Sequence, residues 1–308
     1  MTVRTCVIFN PAAGRGKARK LVDAYRSVVA PDAELRVSEG PGHAEELAAR
    51  AAAEGFGRVV AAGGDGTVHE VANGLLAASN PAVVLGVWPL GSMNDYAFTL
   101  GLESWGKLAD RPPLDVVEVD VGVAAAGGKT RRFVNCAGIG FNGMVTIEAR
   151  KIRWLRGIPL YALGFLKAMA KHYATPGMTV DLGTGLAVSP TLALSVCLGQ
   201  REGGFPLAAA ARLDDGLFQY MHVSNLKRWQ LVRYLPALIT GNLPRDHPKM
   251  TMGSCGRVAV NSPMPLCIHL DGEFLCQPKD AVTAVTLDLL PRGLRVEAYR
   301  PAMYGKWK

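Results

Sequence analysis

With 308 residues, 49% of them apolar and 19% charged, the chain can form one large or two ordinary domains and is too apolar for intrinsic disorder. Its net charge of +8 is uneven: residues 1–120 hold 11 Lys/Arg against 15 Asp/Glu, and residues 121–308 hold 23 against 11. The second half therefore suits an anionic partner such as a membrane surface or phosphates, and the lack of a helix-turn-helix, zinc-finger or RNP-type motif argues against nucleic acid.

Met1 leads at once into "VRTCVIFN", which reads as a first strand rather than a charged leader with a long apolar core. A cytoplasmic location is expected, and six cysteines without C-x-x-C or zinc spacing suit a reducing compartment. After "TCVIF" comes a helical stretch from about Lys17 to Val29, then a strand "ELRVS" and a helix "HAEELAARAAA". Ala44, Leu47, Ala48 and Ala51 share one face of that helix. The apolar run Val59 to Ala62 predicts a buried strand, and Val68, Val71, Ala72, Leu75 and Leu76 mark the apolar face of a helix after it. "AVVLGVW" and "NDYAFTL" repeat the pattern. This alternation implies a parallel, Rossmann-like α/β sheet covered by helices, with ligands at the C-terminal ends of its strands.

After about residue 125 the rhythm changes. "LALSVCL" alternates, with Leu192, Leu194, Val196 and Leu198 on one side. "LFQYMHV", "RVAVNS", "PLCIHLDGEFL", "AVTLDLL" and "LRVEAYR" read as further strands, and "NLKRWQLVRYLPALI" as a helix among them. A β-rich second domain, a sandwich or part-barrel, follows. The expected division is 1–125, 126–285 and a last stretch 286–308.

Three glycine-bearing turns follow strands of the first half. "NPAAGRGKARK" (Asn10 to Lys20) is not a Walker A loop, and serves equally as a turn into a basic helix. "GGDGTVHE" (Gly63 to Glu70) joins a strand to a helix start, a ready anion site. Thr67 and Glu70 there have capping-box spacing, whereas Asp65 places an unexplained carboxylate in the turn. In "PLGSMNDYAFTLGL", Ser92, Asn94 and Asp95 could each cap a helix. Two acidic turns lie in the second half, "ARLDDGLF" with Asp214 and Asp215, and "HLDGEFL" with Asp271-Gly272-Glu273. Acids at turns can hold a hard cation or supply a general base, and Asp-Gly is also an ordinary hairpin turn.

In this order and spacing, Asn10-Pro11…Gly14, Gly63-Gly64-Asp65-Gly66-Thr67, Pro89-x-Gly91-Ser92-x-Asn94-Asp95 and Asp271-Gly272-Glu273 resemble the lipid kinases of the diacylglycerol kinase catalytic-domain family. The resemblance runs nearly end to end and is greatest to the bacterial members. It implies an ATP-binding α/β domain, a β-rich domain, an active site in the cleft between them, and a last stretch returning to the first domain. It places nucleotide contacts at Asn10, Gly14, Ser38, Gly64, Asp65, Gly66, Thr67, Val68, His69, Glu70 and Ser92. It places the general base at Glu273, within a catalytic set that also holds Asp271 and, as the competing base, Asp65. Structural Mg2+ would be held by Asp215 and the carbonyls of Arg212 and Leu217. Two departures stand out: Phe98 where the family usually has Arg, and Asn142 where it often has Asp.

The implied reaction is transfer of the ATP γ-phosphoryl group to a lipid hydroxyl, diacylglycerol or a related lipid. An NAD kinase-like enzyme with a soluble acceptor and a catalytically impaired nucleotide-binding regulator are the alternatives. In residues 150–172, Arg150, Lys151, Arg153, Arg156, Lys167 and Lys171 alternate with Trp154, Tyr161 and Phe165. That mixture suits peripheral contact with an anionic membrane, and equally an ordinary helix with solvated charges. A homodimer is allowed but not signalled.

Overall fold

A computed structural model describes residues 3–16, 18–78, 80–102, 114–183, 185–244 and 246–303. Lys17, the expected first residue of the first helix, and the end of the C-terminal stretch, 304–308, lie outside the described residues. The chain divides into two compact units, one of residues up to Val121 and from Pro291, the other Gly122–Leu290. These divisions compare with the expected 125/126 and 285/286.

The first unit contains β1 (Thr5–Phe9), α1 (Ala18–Val29), β2 (Glu34–Val37), α2 (His43–Ala53), β3 (Arg58–Gly63), α3 (Asp65–Ala77), β4 (Val84–Pro89) and α4 (Asp95–Thr99). β2, β1, β3 and β4 pair in that order, all parallel. Parallel neighbours need crossovers, and the helices supply them. Val7, Phe9, Val60, Ala62 and Trp88 from three strands pack with Ala18 and Val22 of α1 in one buried cluster. Because the strands run parallel, Asn10, Gly64 and Leu90 all follow the same edge, where three loops gather.

The second unit is β-rich. Its elements are β5 (Asp115–Ala126, begun in the first unit), β6 (Lys129–Phe133), β7 (Cys136–Gly140), α5 (Phe141–Arg150), α6 (Gly157–His172), β8 (Gly177–Asp181), β9 (Leu186–Pro190), β10 (Ala193–Cys197), β11 (Phe218–Val223), α7 (Arg228–Thr240), β12 (Met250–Cys255), β13 (Arg257–Asn261), β14 (Ile268–Leu270), β15 (Glu273–Cys276) and the start of β16 (Ala284–Ala298), which ends in the first unit. A short α8 (Arg300–Met303) follows in the first unit. One sheet has the order β12-β11-β10-β7-β14-β15 with antiparallel neighbours.

Two expectations need correction. "AVTLDLL" and "LRVEAYR" are not separate strands but one, β16, whose start pairs antiparallel with β13 and whose end pairs parallel with β4. Arg292, at φ +50°, is accommodated within it, its N–H donating to Asp120 Oδ1 at 2.9 Å. "LALSVCL" alternates in sequence, yet every residue of β10 is buried, Ser195 included. β10 is an inner strand paired at both edges, with β7 and β11, and the burial of all five residues shows that both its faces are covered as well. All six cysteines are buried free thiols. Burial pushes the Cys6 thiol up to about 11 and the Cys267 thiol up to about 12, which leaves both unreactive.

Candidate active site

In the first unit the three loops interlock. Asn10 Nδ2 donates to Thr67 Oγ1 at 3.0 Å, and Asn10 Oδ1 accepts the Ala12 N–H at 2.9 Å. Gly14 takes φ +56°, and a Cβ there would lie 2.9 Å from the Leu90 carbonyl oxygen. Gly64 and Gly91 meet backbone to backbone, since a Cβ on Gly91 would fall 2.5 Å from the Gly64 Cα. Asn94, at φ +54°, brackets Gly91, its Oδ1 accepting the Gly91 N–H at 2.9 Å and its Nδ2 donating to the Gly91 carbonyl at 3.1 Å.

Asp65 joins the second loop to the third. Its Oδ2 accepts the Asn94 N–H at 2.9 Å, and its Oδ1 accepts the Tyr96 N–H at 3.3 Å. The carboxylate therefore caps α4 from another loop, matching negative charge to amides that have no partner within the helix. Glu70 does the same for α2: Oε1 accepts the Gly42 N–H at 2.9 Å and Oε2 the Ala44 N–H at 3.1 Å. The Thr67–Glu70 capping box is thus corrected. The helix begins at Asp65 behind an extended Gly64, so Thr67 already lies inside it.

The remaining expected nucleotide contacts are spread in exposure. Ser92 is exposed and Gly66 half-buried, both beside the interlocked loops. Ser38 is buried at the end of β2, its hydroxyl 3.4 Å from the Phe9 carbonyl oxygen. Val68 and His69 are buried on α3, where Asn73 Nδ2 donates to the His69 carbonyl at 2.9 Å. Glycines admitting close backbone approach and the positive end of α3 suit a phosphate chain.

In the second unit the Asp-Gly-Glu turn joins β14 to β15. Asp271 (φ +53°) and Gly272 (φ +89°) both adopt left-handed conformations. The buried Asp271 carboxylate accepts three amides: Oδ2 from Val134 at 3.0 Å, and Oδ1 from Asn135 and Cys136, each at 2.9 Å. Its own N–H donates to the Cys136 carbonyl at 2.8 Å. Asp271 thereby locks the turn to the start of β7. Glu273, half-exposed, pairs through Oε2 with Arg150 Nη2 at 2.8 Å. The same Arg150 atom donates to the Gly272 carbonyl at 2.7 Å, and its guanidinium lies 4.8 Å from the Phe274 ring centroid.

Behind the turn lies a buried polar group the sequence did not reveal. Glu202 Oε1 is 3.1 Å from His269 Nε2. Asn142 Nδ2 donates to Glu202 Oε1 at 3.0 Å and to Ser195 Oγ at 2.7 Å. Burial favours the neutral acid at Glu202, but the hydrogen bond from His269, with those from Ser195 and Asn142, outweighs it and holds the carboxyl below its usual range. Asn142 is therefore a donor to a carboxylate, a task an aspartate there could not perform. Phe98 is buried on α4.

The turn after Ala211 offers oxygen donors. Asp215 Oδ1 accepts the Leu217 N–H at 3.1 Å, Gly216 takes φ +72°, and Arg212 Nε lies 3.6 Å from Asp214 Oδ1. A carboxylate with the Arg212 and Leu217 carbonyls is a hard-oxygen set, which fits Mg2+ in donor chemistry.

Residues 4–120 match the diacylglycerol kinase catalytic domain, and residues 135–298 match the YegS C-terminal NAD kinase beta sandwich-like domain. The chain is 34% identical over 247 residues to a probable lipid kinase YegS-like of Chromohalobacter salexigens, covering 78% of this chain and 76% of that protein. The chain belongs to the diacylglycerol kinase-like family of lipid kinases. A Bacillus subtilis diacylglycerol kinase is 28% identical over 278 residues, covering 88% of this chain and 90% of that one. In fold, this lipid kinase is similar to a Bacillus anthracis diacylglycerol kinase (TM-score 0.68, 19% identity, 97% of this chain and 98% of the other). It is also similar to yeast NADH kinase (TM-score 0.52, 9% identity, 99% and 87%).

The lipid kinase carries its basic stretch on two helices and the loop between them. α5 ends at Arg150, α6 starts at Gly157, and Trp154 in the intervening loop is 72% exposed. Beneath this loop Glu148, its side chain 1% exposed, pairs with Lys151 at 2.7 Å, His172 at 3.1 Å and Lys171 at 3.4 Å. The Lys151 hydrogen bond, opposed by burial and assisted by His172 and Lys171, lowers the Glu148 carboxyl to about 2. A depressed folded pKa gives stability that is complete above the unfolded value of about 4.5 and is lost as pH falls toward 2. Glu148→Gln should therefore lower the urea midpoint at pH 6, with the gap to wild type closing by pH 2–3. A gap independent of pH would remove Glu148 from the acid response. No helix among the described residues is long and apolar enough to cross a membrane.

Proposed function

We propose that this lipid kinase transfers the γ-phosphoryl group of ATP to the hydroxyl of diacylglycerol or a related lipid. The observation that carries the reading is the Asp-Gly-Glu turn, fixed on both sides and presenting a half-exposed Glu273. Kinases of this family use a nucleotide, and the interlocked glycine loops provide the backbone approach that a triphosphate needs.

In the proposed reaction the Glu273 carboxylate accepts the proton of the lipid hydroxyl. The hydroxyl oxygen forms a bond to the γ-phosphorus, the bond from that phosphorus to the β,γ-bridging oxygen breaks, and ADP departs. Asn10, Gly14, Gly64, Gly66, Thr67 and Ser92 line the phosphate side of the nucleotide. Ser38, Val68, His69 and Glu70 shape the loops behind them. Asp65 holds the second and third loops together, leaving the base role to Glu273. Arg150 pairs with Glu273 at 2.8 Å and, through the Gly272 carbonyl, ties it to the turn. A half-exposed pair of this kind contributes about 0–1 kcal/mol, so a substrate can displace it. Magnesium, when bound, supplies positive charge, and Asp215 with the Arg212 and Leu217 carbonyls would hold a structural ion.

Radiolabelled ATP incubated with the protein and a lipid extract tests the reading. Label extracted into the organic phase is the expected result. Label in an aqueous nucleotide product would favour the NAD kinase-like alternative, and retained ATP binding without product would favour a regulator. Peripheral membrane contact through Trp154 and its basic neighbours predicts co-sedimentation with anionic vesicles that weakens at high salt. Equal binding to neutral vesicles would remove that part of the proposal.

A further inference from the structure

The Asp-Gly-Glu turn has a second support, which the transfer reaction by itself does not call for. His269 precedes Asp271 by two residues on the strand that leads into the turn. Its Nδ1 accepts the Gly272 N–H at 3.3 Å. A ring nitrogen that accepts carries no proton, so the proton of the neutral ring lies on Nε2 and faces Glu202 Oε1 at 3.1 Å. Both side chains are buried. The space around them is closed on the β7 side, where a Cβ on Gly138 would run into the imidazole and would lie 2.9 Å from both Asn142 Cβ and Glu202 Oε1. A ring so enclosed has one orientation, and the Glu202 carboxylate selects its tautomer.

We infer that Glu202 and His269 form a positioning pair for the reaction proposed above: Glu202 fixes the ring and tautomer of His269, and His269 fixes Gly272 and hence the carboxylate that follows it. Both members of the pair are buried, so it is a positioning device rather than a catalytic group. It acts through one main-chain amide at a residue with φ +89°, where the chain would otherwise have freedom to swing Glu273. The inference rests on the lipid kinase reading for its effect on turnover, but its structural half stands apart from any activity.

Two isosteric substitutions separate the two ends of the ring. Gln carries its amide nitrogen at the reach of Nε2, so His269→Gln keeps a donor to Glu202 and loses the acceptor for Gly272. Asn carries its oxygen at the reach of Nδ1, so His269→Asn keeps the acceptor for Gly272 and loses the donor to Glu202. The expected result is that H269Q exchanges the Gly272 amide at least tenfold faster than wild type while keeping the global unfolding midpoint. Its kcat should fall about tenfold or more with the KM for ATP unchanged. H269N should keep slow exchange at Gly272 and a kcat within about threefold of wild type, despite a lower unfolding midpoint. If Gly272 exchange in H269Q matches wild type, or if kcat in the two variants follows only their stability, the inference is overturned. Exchange is read without substrate, so a wild-type protein lacking lipid kinase activity would overturn the function while leaving the turn contact to be judged separately. Cys136, Glu202 and His269 also bring donor atoms within 4.8 Å of one another. Elemental analysis showing one bound zinc per purified chain would replace the tautomer argument with a metal and likewise overturn the inference.

Discussion

Glu273→Gln is expected to lower turnover by roughly 10²–10⁴-fold, the range for loss of a general base, with ATP affinity unchanged. The substitution preserves shape and removes only the ability to accept a proton. Glu273 is half-exposed and pairs with the similarly exposed Arg150, so folding should tolerate the change. The interlocked glycine loops belong to the other compact unit, where Asn10 bonds to Thr67, Asn94 to Gly91 and Asp65 to Asn94. Single-turnover measurement with saturating ATP, alongside equilibrium nucleotide binding, gives both quantities. Asp65→Asn provides the contrast. Its carboxylate receives the amides of Asn94 and Tyr96, so its loss should loosen two loops and weaken ATP binding along with rate. Should Glu273→Gln remain near full activity while Asp65→Asn abolishes turnover and still binds ATP, the base is Asp65.

Much of the scaffold is legible in the sequence because it is encoded locally. "TCVIF" is the whole of β1 and "HAEELAARAAA" the whole of α2, since apolar runs and i, i+3, i+4 spacing report directly on burial. The tethering acids are not legible in that way. Asp65 reaches amides 29 and 31 positions away, and Glu70 reaches amides 28 and 26 positions away. A capping box is a pattern within four residues, so it offers a nearer partner that the glycines make unnecessary. The unusual charge in an anion-friendly turn was the available signal for Asp65, and it is answered by a helix start on the neighbouring loop. Glu202 had less to mark it. In "GQREGGFP" it reads as a surface loop residue, and only the fold buries it beside His269. His269 did carry a trace: a polar residue in the alternating strand "CIHLDGE" shares a face with Asp271. The continuity of β16 was hidden by "PRG", which by composition is a turn and in the fold is an irregularity inside one long strand.

Asp271→Asn is expected to cost roughly 2–4 kcal/mol of unfolding free energy, from buried amides left without an acceptor at about 1–3 kcal/mol each. The wild-type carboxylate serves three N–H groups, those of Val134, Asn135 and Cys136. Asparagine offers one oxygen, and its amide nitrogen, a donor, must face at least one of the remaining donors. The backbone is not the cause, because asparagine tolerates the left-handed conformation that Asp271 adopts at φ +53°. The change therefore isolates the carboxylate. Urea midpoints with an unchanged m-value would measure it, and a loss below about 0.5 kcal/mol, the range of ordinary surface substitutions, would show that the clamp is not needed. Turnover should fall with it even in conditions where the variant is fully folded, since the residue that anchors the turn also sets where Glu273 stands. A folded Asp271→Asn protein with normal kcat would separate the anchor from the chemistry. That result would leave the catalytic placement of Glu273 to His269 and Arg150, the two side chains that hold the amide and the carbonyl of Gly272.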